Sequence, residues 1–150
     1  MRKGFLLFSL SVLLFACNNG SSDDAYQNNS SIPKSKSDSI YKSIMDGHDL
    51  AMKKMGTIAR YTSLIKQYQD SLNKTGSKDI LMTAALDSAL QGLTAADEAM
   101  NKWMVEFDPD KAGTEEPAKL QFFTTEMEKI TAVELRMDSS IALAQKITGR

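Results

Sequence analysis

The stretch LDSALQGLTAADEAMNKWMVEF, Leu86 to Phe107, decides the fold class of this 150-residue chain. Its apolar residues recur at intervals of four and three, with Asp97 at the one polar position: Leu86, Leu90, Leu93, Met100, Met104 and Phe107. An α-helix places residues at this spacing on one face, whereas a half-buried strand would alternate apolar and polar side chains. Pro109 disfavours helical geometry at Asp108, so the pattern predicts one amphipathic helix from about Lys78 to Phe107.

Two further segments have the same periodicity. In the segment from Ser37 to Asn73, which Ser37 or Asp38 can cap, the apolar face consists of Ile44, His48, Ala51, Met55, Ile58 and Ile65. In the segment that opens at Thr114, the face consists of Leu120, Phe123, Met127, Ile130, Met137, Ile141 and Ala144, with Glu134 interrupting it. Short turns containing glycine or proline separate the three segments.

Three amphipathic helices joined by short turns predict an all-α fold, an antiparallel up-down-up three-helix bundle over residues 38–150. The apolar spacing is close to 3.5 residues, which favours coiled-coil-like packing with shallow crossing of the helices. Two alternatives fit the same pattern: a two-helix hairpin with a looser third helix, and a six-helix assembly of two chains.

The chain opens with the features of a bacterial export signal. Arg2 and Lys3 form a basic start, and an apolar run from Phe5 to Phe15 follows. That run is too short to span a bilayer comfortably, so residues 1–16 are predicted to be a signal peptide. They end in LLFAC, which resembles the lipobox of bacterial lipoproteins. The resemblance implies that residues 1–16 are removed and that Cys17 receives fatty acyl chains such as palmitate. An ordinary signal peptide followed by a coincidental cysteine is the alternative.

Composition limits the partners of the mature chain. Residues 1–16 hold two of the 18 basic residues, so the remainder carries 16 basic and 19 acidic side chains, a net charge of −3. This balance argues against a nucleic-acid partner, which would require an excess of basic residues. Residues 17–37 are rich in Ser and Asn and poor in bulky apolar groups, which predicts a flexible linker between the lipid and the bundle.

The only histidine, His48, is the centre of one candidate site. On a helix it shares a face with Met52 and Met55, and folding the chain at the first turn brings Met100 and Met104 to the same end. Imidazole and thioether groups suit Cu(I), and a His–Met pair can also hold b-type haem iron. The favoured interpretation is that these methionines fill the core without a metal or cofactor, because methionine adapts to irregular gaps.

Three segments, together with the lipobox, are similar to a group of small helical lipoproteins of the Bacteroidetes that often carry the label "viral A-type inclusion protein". The segments are IMDGHDLAMKKMGTIARYTSLI from Ile44, LTAADEAMNKWMVEFDPD from Leu93 and MEKITAVELRMDSSIALAQKI from Met127. The resemblance implies a helical fold and a cell-envelope location, and no particular activity.

The sequence contains no glycine-rich phosphate loop and no pattern that supports a catalytic triad, so we expect no enzymatic activity. We expect a lipoprotein anchored in the bacterial cell envelope, at the outer membrane, with a protein-binding or structural role. Its membrane partner is reached through the lipid on Cys17, and its protein partner is unknown. The alternative function is binding of copper or haem through His48 and the four methionines.

Overall fold

A computed structural model describes residues 34–76 and 78–149, which belong to one compact unit, Ile32–Arg150. The unit consists of three α-helices and a short 3-10 helix: α1 (Lys36–Thr75), α2 (Ile80–Glu106), the 3-10 helix (Pro109–Ala112) and α3 (Glu116–Thr148). Each α-helix packs against the other two, and the most extensive contact is between α1 and α3. The described residues contain no strand. The prediction of an all-α, up-down-up three-helix bundle is therefore confirmed.

The N-terminal predictions concern a part of the chain that the structure does not describe. The signal peptide, Cys17 and the linker up to residue 33 lie outside the described residues. Helix α1 begins at Lys36, so the last two residues of the predicted linker belong to the bundle. Among the residues that are described, no helix is both long enough and apolar enough to cross a membrane.

The buried residues of all three helices follow the alternating three-four spacing of a coiled coil. On α1 they include Ile44, Gly47, Ala51, Ile58, Tyr61 and Ile65; on α2, Leu86, Ala89, Leu93, Ala96, Met100 and Trp103; on α3, Phe123, Glu126, Ile130, Val133, Met137, Ser140 and Ala144. We call this continuous set the seam. It is the hydrophobic core of the protein, and the larger apolar side chains beside it are partly buried against it.

The predicted buried face of α2 is correct at Leu86, Leu93 and Met100, which are seven residues apart, and wrong at the positions between them. The intermediate seam positions are Ala89 and Ala96, which are completely buried, and not Leu90 and Asp97. The prediction favoured large apolar residues, whereas the seam uses alanine there because a small side chain lets helices approach closely. Leu90 lies beside the seam, partly buried, and Asp97 lies at its edge.

Helix α3 shows the same displacement by one residue. Its intermediate seam positions include Glu126 and Val133, where the sequence pattern indicated Met127 and Glu134. Glu134 is therefore no interruption of the core. Its half-buried side chain lies over Gly47 of α1, in the space that a side chain at residue 47 would occupy.

The start of α1 is capped by Ser35, and the prediction of Ser37 or Asp38 as the cap is wrong. The Ser35 hydroxyl accepts a hydrogen bond from the backbone amide of Asp38 at 3.0 Å. Ser37 is buried in the seam, where its hydroxyl donates to a carboxylate oxygen of Glu116 at 2.7 Å and its backbone amide donates to the other at 3.0 Å. These hydrogen bonds lower the pKa of Glu116 and tie the start of α1 to the start of α3.

Each connection ends a helix by a local mechanism. After α1, Gly76 adopts the left-handed conformation (φ 64°) and its amide donates to the carbonyl of Asn73, a common helix ending. After α2, the carboxylate of Asp108 accepts a hydrogen bond from the amide of Asp110 at 3.2 Å and starts the 3-10 helix with Pro109 in its first turn. Helix α3 then begins at Glu116, two residues later than the sequence predicts.

The two glycines inside α1 provide a matched test of the bundle. We expect Gly56→Ala to raise the free energy of unfolding by about 0.5–1 kcal/mol, because alanine favours the helix and, apart from the adjacent residues and the nearby helix backbone, no described atom lies within 4 Å of the added methyl group. Gly47→Ala should gain less, because the methyl group would overlap the Glu134 carboxylate and force that side chain to move. Urea unfolding followed by circular dichroism measures both values, and equal stabilisation by the two variants would contradict the close approach at Gly47.

Candidate functional site

The structure places His48 at the edge of the core. Its side chain is 23% exposed, and its Nδ1 atom lies 3.1 Å from a carboxylate oxygen of Asp49. Its ring centre lies 5.9 Å from that of Trp103 on α2. The fold at the first turn therefore brings His48 opposite the end of α2, as predicted, and the imidazole packs against an aromatic ring while one nitrogen stays near a surface carboxylate.

The four methionines of the candidate metal site occupy different environments. Met52 is 42% exposed, whereas Met100 is completely buried in the seam. Met55 and Met104 are partly buried against the core. A soft metal ion requires its sulfur ligands to point at one centre, and this arrangement does not place Met52 and Met100 in a common environment. The described residues contain no group of three or more His, Cys, Asp or Glu side chains arranged to hold a metal ion.

An aromatic cluster closes the same end of the bundle. The rings of Trp103 and Phe107 are stacked with their centres 4.7 Å apart and their planes 15° apart. Tyr41 of α1 lies 6.3 Å from Phe107 and 5.2 Å from Phe123 of α3, so rings from all three helices meet here. Offset and tilted contacts of this kind add to the energy of apolar burial. The sequence periodicity identified Phe107 and Phe123 as apolar, but it gave no indication of their contact with Tyr41.

Glu126 is a charged residue whose burial in the core the sequence prediction missed. It is 5% exposed, and its two carboxylate oxygens have separate partners. One accepts a hydrogen bond from the indole Nε1 of Trp103 at 3.2 Å, and the other accepts from the ammonium of Lys129 at 2.7 Å. The latter bond raises the pKa of Lys129. The prediction placed the apolar neighbour Met127 on the buried face instead of Glu126. The sequence did contain an indication of a buried Glu126, because Lys129, three residues later, can pair with its carboxylate on a helix.

This network fixes the position of α2 along the length of α3. A buried indole N–H needs an acceptor, and a buried carboxylate needs donors, so Trp103 and Glu126 satisfy each other only when the helices have this alignment. Lys129 supplies the compensating charge at the surface, where its side chain is 52% exposed. The arrangement is a structural polar contact of the kind that specifies helix alignment in coiled coils.

A shallow groove of about 460 Å³ runs beside this network between α2 and α3. Its floor includes Ala99 and Trp103, and its walls carry cations such as Lys129 and Arg136 as well as acids such as Glu98. The charges are mixed, and the one donor of Trp103 is already bonded to Glu126. The groove therefore presents no concentrated charge of one sign to a ligand.

The opposite end of the bundle has a different character, because α3 stops at a lower height than α1 and α2 reach there. Asp138 of α3 pairs with Lys54 of α1 at 2.6 Å, and α1 and α3 run in the same direction. Since both helices rise equally per residue, Thr148 at the end of α3 is about level with Leu64. Beyond that height α1 and α2 continue as a two-helix hairpin. We call residues 66–76 and 78–85 of this hairpin the tip.

The tip is rich in exposed apolar side chains. The adjacent residues Ile80 and Leu81 are 79% and 84% exposed, Met82 is 40% exposed and Tyr68 is 36% exposed. Most other exposed apolar residues of the described chain are single and separated along the helices. Isolated exposed apolar residues are normal on protein surfaces, whereas a local concentration of them indicates a contact surface.

Comparison of the chain with protein-family models, with curated proteins and with solved structures finds no match. The similarity to small helical lipoproteins of the Bacteroidetes stays a prediction from the sequence segments.

The buried network predicts a large effect of one substitution. Glu126→Ala should lower the free energy of unfolding by about 2–3 kcal/mol, because the indole N–H of Trp103 loses its acceptor inside the core. Glu128→Ala, a matched change at an exposed position two residues away, should shift it by less than about 0.5 kcal/mol. Urea unfolding followed by tryptophan fluorescence measures both, and a loss below about 1 kcal/mol for Glu126→Ala would contradict the network.

The copper and haem hypothesis has a direct test in the fragment of residues 34–150. We expect titration with Cu(I) or with haem to show no stoichiometric binding that depends on His48, because Met52 and Met100 lie in different environments. The matched variant is His48→Ala, and absorption spectroscopy follows both titrations. Tight binding to the wild type that is lost in His48→Ala would overturn this expectation and establish the metal or haem function.

Proposed function

We propose that this protein is a lipid-anchored component of the bacterial cell envelope, at the outer membrane, with a non-enzymatic role in protein interaction or structural support. In this proposal residues 1–16 are removed, and Cys17 carries fatty acyl chains such as palmitate. Several acyl chains hold a protein stably on a membrane without a membrane-spanning helix. The segment that follows Cys17 is the linker between the lipid and the helical bundle.

The exposed pair Ile80 and Leu81 carries the proposal of an interaction role. Helix α1 has 40 residues, so its two ends are separated by about 60 Å. The linker joins the bundle at one of these ends, and Ile80 and Leu81 lie near the other, at the tip. Because the proposed lipid and linker precede α1 in the chain, they leave Ile80 and Leu81 available for contact with another protein.

The buried polar side chains of residues 34–76 and 78–149 support a non-enzymatic role, because each of the four has a structural partner. Glu126 is bonded to Trp103 and Lys129, and Ser37 is bonded to Glu116. The remaining two, Ser140 and Thr148, donate to carbonyl oxygens of their own helix at 2.9 and 2.8 Å. These contacts use the interior polar groups for helix alignment and helix termination, which are structural tasks.

The anchor is tested by the full chain expressed in a Gram-negative bacterium with an alkyne analogue of palmitate. The wild-type chain should incorporate the analogue and sediment with the outer membrane, because the LLFAC motif directs acylation to Cys17. Cys17→Ser should lose the label and leave the outer-membrane fraction. The matched control is Ser22→Ala, which changes a nearby residue without altering the motif and should behave like the wild type. Unlabelled wild-type protein, or equal labelling of Cys17→Ser, would refute the anchor.

A further inference from the structure

The seam of the bundle extends past the end of α3. On α1 its three-four spacing runs from Tyr61 and Ile65 on to Tyr68 and Leu72, and on α2 it runs back from Ala89 to Met82. These three continuing residues are apolar, yet Tyr68 and Met82 are 36% and 40% exposed and Leu72 is only partly buried. The sequence therefore provides core residues at a height where α3 supplies no third helix to cover them.

The exposed apolar surface also reaches around the outer side of α2. Ile80 and Leu81 lie two and one positions before the seam residue Met82, and both are more than three-quarters exposed. Because successive helical residues point about 100° apart, these three side chains together cover more than half of the circumference of the first turn of α2. An occupant that covers this surface has to contact the tip from more than one side, which a pair of helices does better than one.

The charged side chains at and beside the tip are of both signs, and several of them form no ion pair with a described residue. The tip, together with Asp87 two residues beyond it on α2, carries three lysines and three aspartates: Lys66, Lys74, Lys78, Asp70, Asp79 and Asp87. Asp79 caps α2 and Asp87 accepts a hydrogen bond from Gln69. The three lysines and Asp70 form no ion pair with any residue that the structure describes. A second identical tip would therefore meet no net repulsion and would offer both signs of charge for pairing.

We propose that the tip is a self-association surface, through which two copies of this chain pair end to end. Each two-helix tip then covers the open seam of the other, and the four helices form a short bundle that continues the core beyond α3. Such a contact is isologous: the same patch is used on both copies, related by a two-fold axis. The proposal gives the interaction role of the protein a defined partner, and it does not depend on the lipid at Cys17.

Because the contact is confined to the tip, we expect a small interface and a reversible dimer. Small interfaces belong to weak or transient complexes, so concentration controls the population of the pair. Attachment of many copies to one membrane would raise their effective concentration and favour pairing without any additional contact. The fragment of residues 34–150 is sufficient for the test, because every contact between the helices lies within it and the unit is compact by itself.

Sedimentation velocity of this fragment over a concentration series into the millimolar range measures the association. The wild type should change from monomer to dimer as concentration rises. Ile80→Lys combined with Leu81→Lys should raise the dimer dissociation constant at least about tenfold, because the added charges repel across the two-fold axis. The control is Val105→Lys, the same kind of change at one 86% exposed residue near the other end of α2, which should associate like the wild type. Circular dichroism checks that all of them remain helical.

A second measurement uses the cysteine content of the chain. The fragment has no cysteine, since Cys17 is the only one in the sequence, so Leu81→Cys introduces a single thiol. Mild oxidation should link Leu81→Cys into a disulfide dimer and leave Val105→Cys monomeric. A wild type that stays monomeric throughout the series, or equal dimerisation of tip and control variants, would overturn the proposal. So would a monomer that binds phospholipid vesicles through Leu81, which would assign the tip to a membrane. None of these outcomes affects the Cys17→Ser result, so the two proposals fail separately.

Discussion

Burial of the seam is the interaction on which the three-helix structure depends. The chain has a single cysteine and therefore no internal disulfide, so apolar packing holds the helices together. The completely buried residues at the seam range from alanine at 89 and 96 to methionine at 100 and 137. The small residues set how closely the helices approach, and the large ones fill the space that remains, which together give the interior its density.

Two polar contacts fix the alignment that apolar packing leaves open. The Ser37–Glu116 hydrogen bonds join the starts of α1 and α3, and the Trp103–Glu126 hydrogen bond joins the end of α2 to α3. Sliding one helix along another by a turn would preserve much of the apolar contact, but it would leave the buried polar groups of Ser37, Trp103 and Glu126 without partners, which is unfavourable. The two contacts lie towards the end of the bundle at which α1 and α3 begin, where the aromatic cluster also lies.

The two ends of the rod are consequently unequal. At the end where α1 and α3 begin, aromatic rings and hydrogen bonds from all three helices close the core. At the tip, α3 stops and the seam of α1 and α2 runs on without it, leaving Ile80 and Leu81 exposed. The proposed lipid anchor at Cys17 and the proposed self-association at the tip therefore involve different parts of the chain.

The sequence by itself determined the three helices, because an apolar period near 3.5 residues can be recognised within each segment without knowing which helices pack against it. It also located the seam at every seventh residue, as at Leu93 and Ile130, and it alone supports the lipid anchor at Cys17. Only the tertiary structure decided which neighbour fills the intermediate positions: Ala96 where Asp97 was predicted, and Glu126 where Met127 was predicted. The physical reason is that hydrophobicity ranks single residues, whereas burial depends on the distance between helices and on hydrogen-bond partners supplied by another helix. The premature end of the core at the tip is likewise visible only when the heights of three helices are compared.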